Sequence, residues 1–113
     1  MKALNFNSLK RPTLDLTMMD EAQTVIRVST PSVALVEKLG ANAGEIDAAL
    51  RGGDERSVKA VYDFAAELIS CNRDKITVTG QELRDKYHLD LEDLTVFYDA
   101  YLDYLNETRT AKN

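Results

Sequence analysis

TLDLTMMDEAQTVIRVSTPSVALVEKL, residues 13–39, holds the change of period on which the fold turns. In TLDLTM the apolar residues Leu14, Leu16 and Met18 alternate with polar ones. After a polar turn around Asp20 and Glu21, QTVIRVS alternates again through Ile26 and Val28. A period of two puts alternate side chains on one face of a strand, so the two segments predict an antiparallel β-hairpin with one apolar face. Two strands alone are marginal in water, so that face must pack on helices or pair with another chain. At Thr30 the period lengthens. Thr30 offers an N-cap, Pro31 a preset φ at the first helical position, and Val33, Val36 and Leu39 recur at helical spacing.

Downstream the pattern stays helical. Gly40 and Gly44 flank Asn42, and each glycine costs about 1 kcal/mol in a helix interior. Two readings stand for residues 31–50: one continuous helix, or a break near Gly40 with a second short helix carrying Ile46 to Leu50. Arg51-Gly52-Gly53-Asp54 reads as a stop followed by a new cap, opening a helix from about Glu55 to Cys71. On it Val58, Val61, Tyr62, Phe64, Ala65, Leu68 and Ile69 share an arc of roughly 160°, with Lys59, Asp63 and Glu67 opposite, which marks a core element. Lys75 to Val78 is an extended link. Thr79-Gly80-Gln81-Glu82 then matches a capping box and starts a short helix to about Tyr87. Asp90 caps the last helix, with Glu92 and Asp93 in its first turn where the helix dipole favours negative charge. The expected architecture is mainly α (α+β), an N-terminal β-hairpin followed by a bundle of four or five helices. Residues 1–12, with Lys2, Lys10 and Arg11 and no acidic residue, read as a flexible arm, 13–107 as a single domain, and 108–113 as a flexible C-terminal tail.

The composition narrows the function classes. The chain has 113 residues, enough for one core, and its 44% apolar and 29% charged content is that of a folding chain. A net charge of −5 argues against nucleic acid and anionic membranes, both of which are held by clustered Lys and Arg. No stretch approaches a spanning length of about 18 apolar residues, and the start, MKALNFNSLKRP, lacks the apolar core of a secretion signal, so a cytoplasmic protein is expected. Cys71 and His88 each occur once as residue types, and nothing in their spacing brings a thiolate to an imidazole with a third group to orient it. Cys71 is expected as a small buried hydrophobe and His88 as a cap or surface residue. Zinc needs about four Cys or His ligands, and the acidic run from Asp85 to Asp93 lacks the glycine and closing glutamate of a calcium loop. No enzyme activity, cofactor or metal is expected.

The last helix is the most informative segment for binding. From Asp90 to Glu107 it carries six acidic residues and no Lys or Arg, which excludes a DNA recognition helix. Leu91, Leu94, Tyr98, Tyr101 and Leu105 repeat at spacings of three and four, and Phe97, Leu102 and Tyr104 widen the arc to roughly 160°, beyond the ~100° of a single packing face. Two readings follow. Either the helix is wedged between two others and buries the whole arc, or Phe97, Tyr101 and Tyr104 form an aromatic edge open to a partner. The acidic face, Glu92, Asp99, Asp103 and Glu107, suits either a solvated surface or a basic partner.

Taken in order, the hairpin TLDLTM to QTVIRVS, the turn into PSVALVEKL, the Val58 to Cys71 helix and the closing ITVTGQELRDKYHLDLEDLTVFYDAYLDYLNE resemble the small tail assembly chaperones of long-tailed (siphophage-type) bacteriophages. The resemblance rests on element order, length and acidity and spans most of the chain. It implies a protein of the host cell cytoplasm that coats the tape measure protein, keeps its long apolar helices in solution, helps recruit tail tube subunits, and is absent from the mature virion. Many such chaperones also have a longer product made by a minus-one frameshift, and Ala111-Lys112-Asn113 can be encoded GCA AAA AAC, which contains a slippery run. A homo-oligomer through the hairpin is a further expectation. The alternative class is a small acidic adaptor or inhibitor, antitoxin-like or a regulatory subunit, that binds one folded basic protein.

Overall fold

The structure, a computed structural model, describes residues 12–110, without the side chains of 108–110. The expected N-terminal arm, Pro12 apart, and residues 111–113 lie outside the described residues. Strands β1 (Leu14–Thr17) and β2 (Val25–Val28) form the hairpin, in the antiparallel register Leu14↔Val28 and Leu16↔Ile26. Its apolar face points inward: Met18, Ile26 and Val28 are buried, with Leu14 and Leu16 packed against them. Asp20 closes the turn by accepting hydrogen bonds from the backbone N–H and the hydroxyl of Thr24.

Five helices follow among the described residues: α1 (Val33–Ala41), α2 (Ala43–Leu50), α3 (Glu55–Ile69), α4 (Gly80–Asp85) and α5 (Leu91–Thr110). The mainly α architecture with an N-terminal hairpin is therefore the one expected. Two boundaries differ in instructive ways. The first helix is capped by Ser32, whose hydroxyl accepts from the Leu35 N–H, so Pro31 lies before the cap and Thr30 is not the cap. A serine adjacent to the first helical turn reaches an orphan N–H that Thr30 is too far back to reach. Of the two readings for residues 31–50 the broken one holds, with the break at Asn42, two residues past Gly40, where the side chain donates to the Lys38 carbonyl at 2.8 Å and the backbone leaves helical geometry. Gly40 and Gly44 both remain helical. At the far end α5 runs to Thr110, into the stretch expected as a tail.

The remaining caps are those the sequence predicts. The Asp54 carboxylate accepts from the Ser57 N–H, Thr79 and Glu82 make the reciprocal capping box, and Asp90 and Asp93 exchange a matching pair of bonds at the start of α5. α3 is the central element: Val61, Tyr62, Phe64, Ala65, Ala66, Leu68 and Ile69 are buried, and β2, α2, α4 and α5 all pack on it. Gly80 lets α4 approach it closely, since a Cβ there would collide with the Asp63 carboxylate and come within 2.9 Å of the Asp63 backbone nitrogen. The segment after α3 returns along β2, so the hairpin is joined to the helices through backbone bonds as well as through its apolar face.

Candidate partner-binding surface

Phe97, Tyr101 and Tyr104, the three residues expected as an open aromatic edge, are brought together, but inside the core. They are 7%, 0% and 5% exposed. Their rings pack on one another, Phe97 to Tyr101 at 5.6 Å and Tyr101 to Tyr104 at 6.1 Å between centroids, with Tyr98 against Phe97 at 5.4 Å. The expectation of a partner-facing edge at these three residues is thus corrected; α5 is wedged as the other reading has it, except that Leu102, part of the same arc, stays 47% exposed. The helix lies against both α2 and α3, and a helix with two neighbours needs an apolar arc wider than one face provides.

The tyrosine hydroxyls show how this interior is built. Tyr98 donates to the Val61 carbonyl and Tyr104 to the Pro12 carbonyl, both at 2.8 Å, and Tyr62 donates to the Leu89 carbonyl at 2.7 Å. The Tyr101 hydroxyl is buried without a hydrogen-bond partner among the described residues. Burial pushes the Tyr98 and Tyr101 phenols well above the usual tyrosine range, because the charged form would be stripped of water.

What α5 shows to solvent is its acidic face. Glu92, Asp99, Asp103 and Glu107 are exposed, together with Val96 and Leu102. Among the described residues Glu92, Asp99 and Asp103 make no ion pair.

A second pair of exposed apolar side chains sits on α1, and it includes Val33, more exposed than Val96 or Leu102. Val33 is 75% exposed and Val36 41%, whereas Leu39 is buried and Leu35 half-buried. Of the three residues whose spacing marked the helix, only Leu39 faces inward, since Leu35 and Leu39, four apart, form the packing face and leave the valines on the other side. A signal for this was present: residues 33–36 are all apolar, and no single face of a helix can hold four consecutive side chains. Beside α1 runs an open groove of about 610 Å³ between α1, α3 and the segment Thr77 to Gly80. Leu35, Ala66 and Val78 give it an apolar lining. Ser70 holds the far wall in place by accepting from the Val78 N–H and donating to the Val78 carbonyl. Charges on the rim are paired, Lys38 with Glu67 at 2.9 Å and Lys59 with Asp63 at 2.7 Å. An apolar trough with a balanced rim suits an uncharged, apolar guest better than an ion.

Cys71 and His88 occupy separate places. Cys71 is half-buried after α3, its carbonyl accepting from the backbone and the hydroxyl of Ser29. His88 is exposed at the α4–α5 junction with φ of 56°. That junction is tied to α3 at Tyr62, roughly two helical turns before the end at Ile69. No three His, Cys, Asp or Glu side chains form a metal-binding group among the described residues, and none of the described helices is long and apolar enough to cross a membrane. No protein-family model, curated protein or solved structure matches this chain.

Proposed function

We propose that this chain is a binding protein without turnover, a tail assembly chaperone of the long-tailed phage type. It acts in the host cell cytoplasm by masking apolar helical segments of a tape measure protein, helps recruit tail tube subunits, and is left out of the finished virion. The observation that carries this reading is the outward pair Val33 and Val36 on a helix flanked by an apolar groove. Apolar surface held in water is a standing cost, and covering it with an apolar partner returns roughly 25 cal/mol per Å². The net charge of −5 keeps the resulting complex in solution. Order of elements, length and acidity add the resemblance to that family of chaperones.

Co-expression with a long coiled-coil tape measure protein tests the proposal. The client is expected in the soluble fraction only when this chain is present; equal solubility with and without it refutes the chaperone reading.

A second reading, an acidic adaptor for one folded basic protein, has its own support in the unpaired carboxylates Glu92, Asp99 and Asp103 on α5. Salt separates the two, because an electrostatic complex weakens steeply as ionic strength rises, whereas apolar masking persists.

A further inference from the structure

β2 is bordered on both sides. On one lies β1; on the other the chain returns after α3 and runs antiparallel to β2 for three residues, with Val28 bridged to Asn72. Ser29 donates its N–H to the Cys71 carbonyl, and Arg73 donates to the Arg27 carbonyl. In a regular antiparallel rung Arg27 would return a bond from its own N–H to the Arg73 carbonyl. It does not. The chain turns away at this point, with the Asn72 amide oxygen accepting from the Ile76 N–H, its nitrogen donating to the Ile69 and Ile76 carbonyls, and Lys75 taking a φ of 56°. The Arg27 N–H is met instead by the Asp74 carboxylate at 2.9 Å, while the Arg27 guanidinium grips the other carboxylate oxygen at 2.6 Å.

We infer that Asp74 is an edge lock: its carboxylate stands in for the absent strand carbonyl and keeps this side of β2 from pairing with β2 of a second copy of the chain. An open N–H at a strand edge is a template for another strand, and a charged side chain laid across it removes the template. The returning chain supplies two of these bonds through the backbone and the third through a side chain, at the place where its path leaves the sheet. Pairing between copies through the hairpin is thereby denied the β2 side at Arg27. Hydrogen bonds from the Arg27 guanidinium and backbone hold the Asp74 carboxyl below the usual carboxylate range, so the lock stays charged near neutral pH.

The test separates the backbone rung from the ion pair. Asp74→Ala removes the acceptor, Asp74→Asn keeps a neutral oxygen for the Arg27 N–H, and Arg27→Gln removes the guanidinium but leaves that N–H and the carboxylate. Sedimentation velocity over a concentration series, with circular dichroism to confirm folding and hydrogen exchange at the Arg27 amide, reads the result. Asp74→Ala is expected to raise the mass with concentration and to speed exchange at Arg27, while Asp74→Asn and Arg27→Gln sediment as the parent does. A folded Asp74→Ala chain with the parent's mass at every concentration overturns the inference, as does Arg27→Gln associating as strongly as Asp74→Ala. Should Asp74→Ala fail to fold, Asp74→Asn decides alone: an Arg27 amide as protected as in the parent supports the lock, and lost protection overturns it.

Discussion

α5 buries Phe97, Tyr98, Tyr101 and Tyr104 and leaves Val96 and Leu102 on an otherwise acidic outer face, whereas α1, shorter and far more apolar in composition, leaves Val33 and Val36 on a face with no acidic neighbour but Glu37. The difference comes from neighbours. α5 is flanked by α2 and α3, so its wide aromatic arc has a wall on each side, while α1 meets the rest through Leu35 and Leu39 and, among the described residues, has no element packed on its outer side. Gly40 and Gly44 continue this open side, with nothing within 4 Å of where a Cβ would stand. Apolar content measures what a helix is able to bury; what is packed beside it decides how much is left for a partner.

The largest effect that sharpens this contrast belongs to α5. Tyr101→Ala is expected to cost about 3–5 kcal/mol in urea unfolding, the range for removing a fully buried aromatic side chain. A loss below about 1 kcal/mol would mean that the ring is not in the core. Alkaline titration probes the same interior. Because the folded-state values of Tyr98 and Tyr101 lie above the unfolded value near 10, the neutral phenols contribute stability that is complete below that pH and is lost as the pH rises past it. Each tyrosine then removes up to about 1.4 kcal/mol per pH unit. Tyrosinate absorbance and loss of helical circular dichroism should appear together; ionisation of all five tyrosines in the still folded chain would contradict the burial.

Smaller effects distinguish one hydroxyl from another. Tyr98→Phe removes a buried bond to the Val61 carbonyl and should cost about 1 kcal/mol, whereas Tyr101→Phe removes a hydroxyl with no partner and should be neutral or stabilising. Melting temperatures of the two variants check this, and equal losses would show that Tyr101 has a partner after all.

Much of this architecture was legible in the sequence because local chemistry specifies it. The alternation through Leu14, Leu16, Ile26 and Val28 predicts the hairpin, and Asp54, Thr79 and Asp90 are caps whose partners lie three residues away. The direction in which α5 presents its rings was not legible, since an arc of that width suits either a helix between two neighbours or one with a free edge. Nor was the cap at Ser32, where three consecutive residues, Thr30, Pro31 and Ser32, all carry helix-start chemistry. The Asp74 contact joins residues 47 positions apart, beyond the reach of any periodicity argument.

Under the proposed function the client meets α1, not α5. Two double variants decide it by co-purification with the coiled-coil client: Val33→Ser with Val36→Ser on α1, and Val96→Ser with Leu102→Ser on α5. All four side chains are exposed, so each substitution should shift stability by no more than about 0.5 kcal/mol and both chains should melt as the parent does. The α1 pair is expected to lose the client while the α5 pair retains it. A client that stays with the α1 variant and leaves the α5 variant would contradict this expectation.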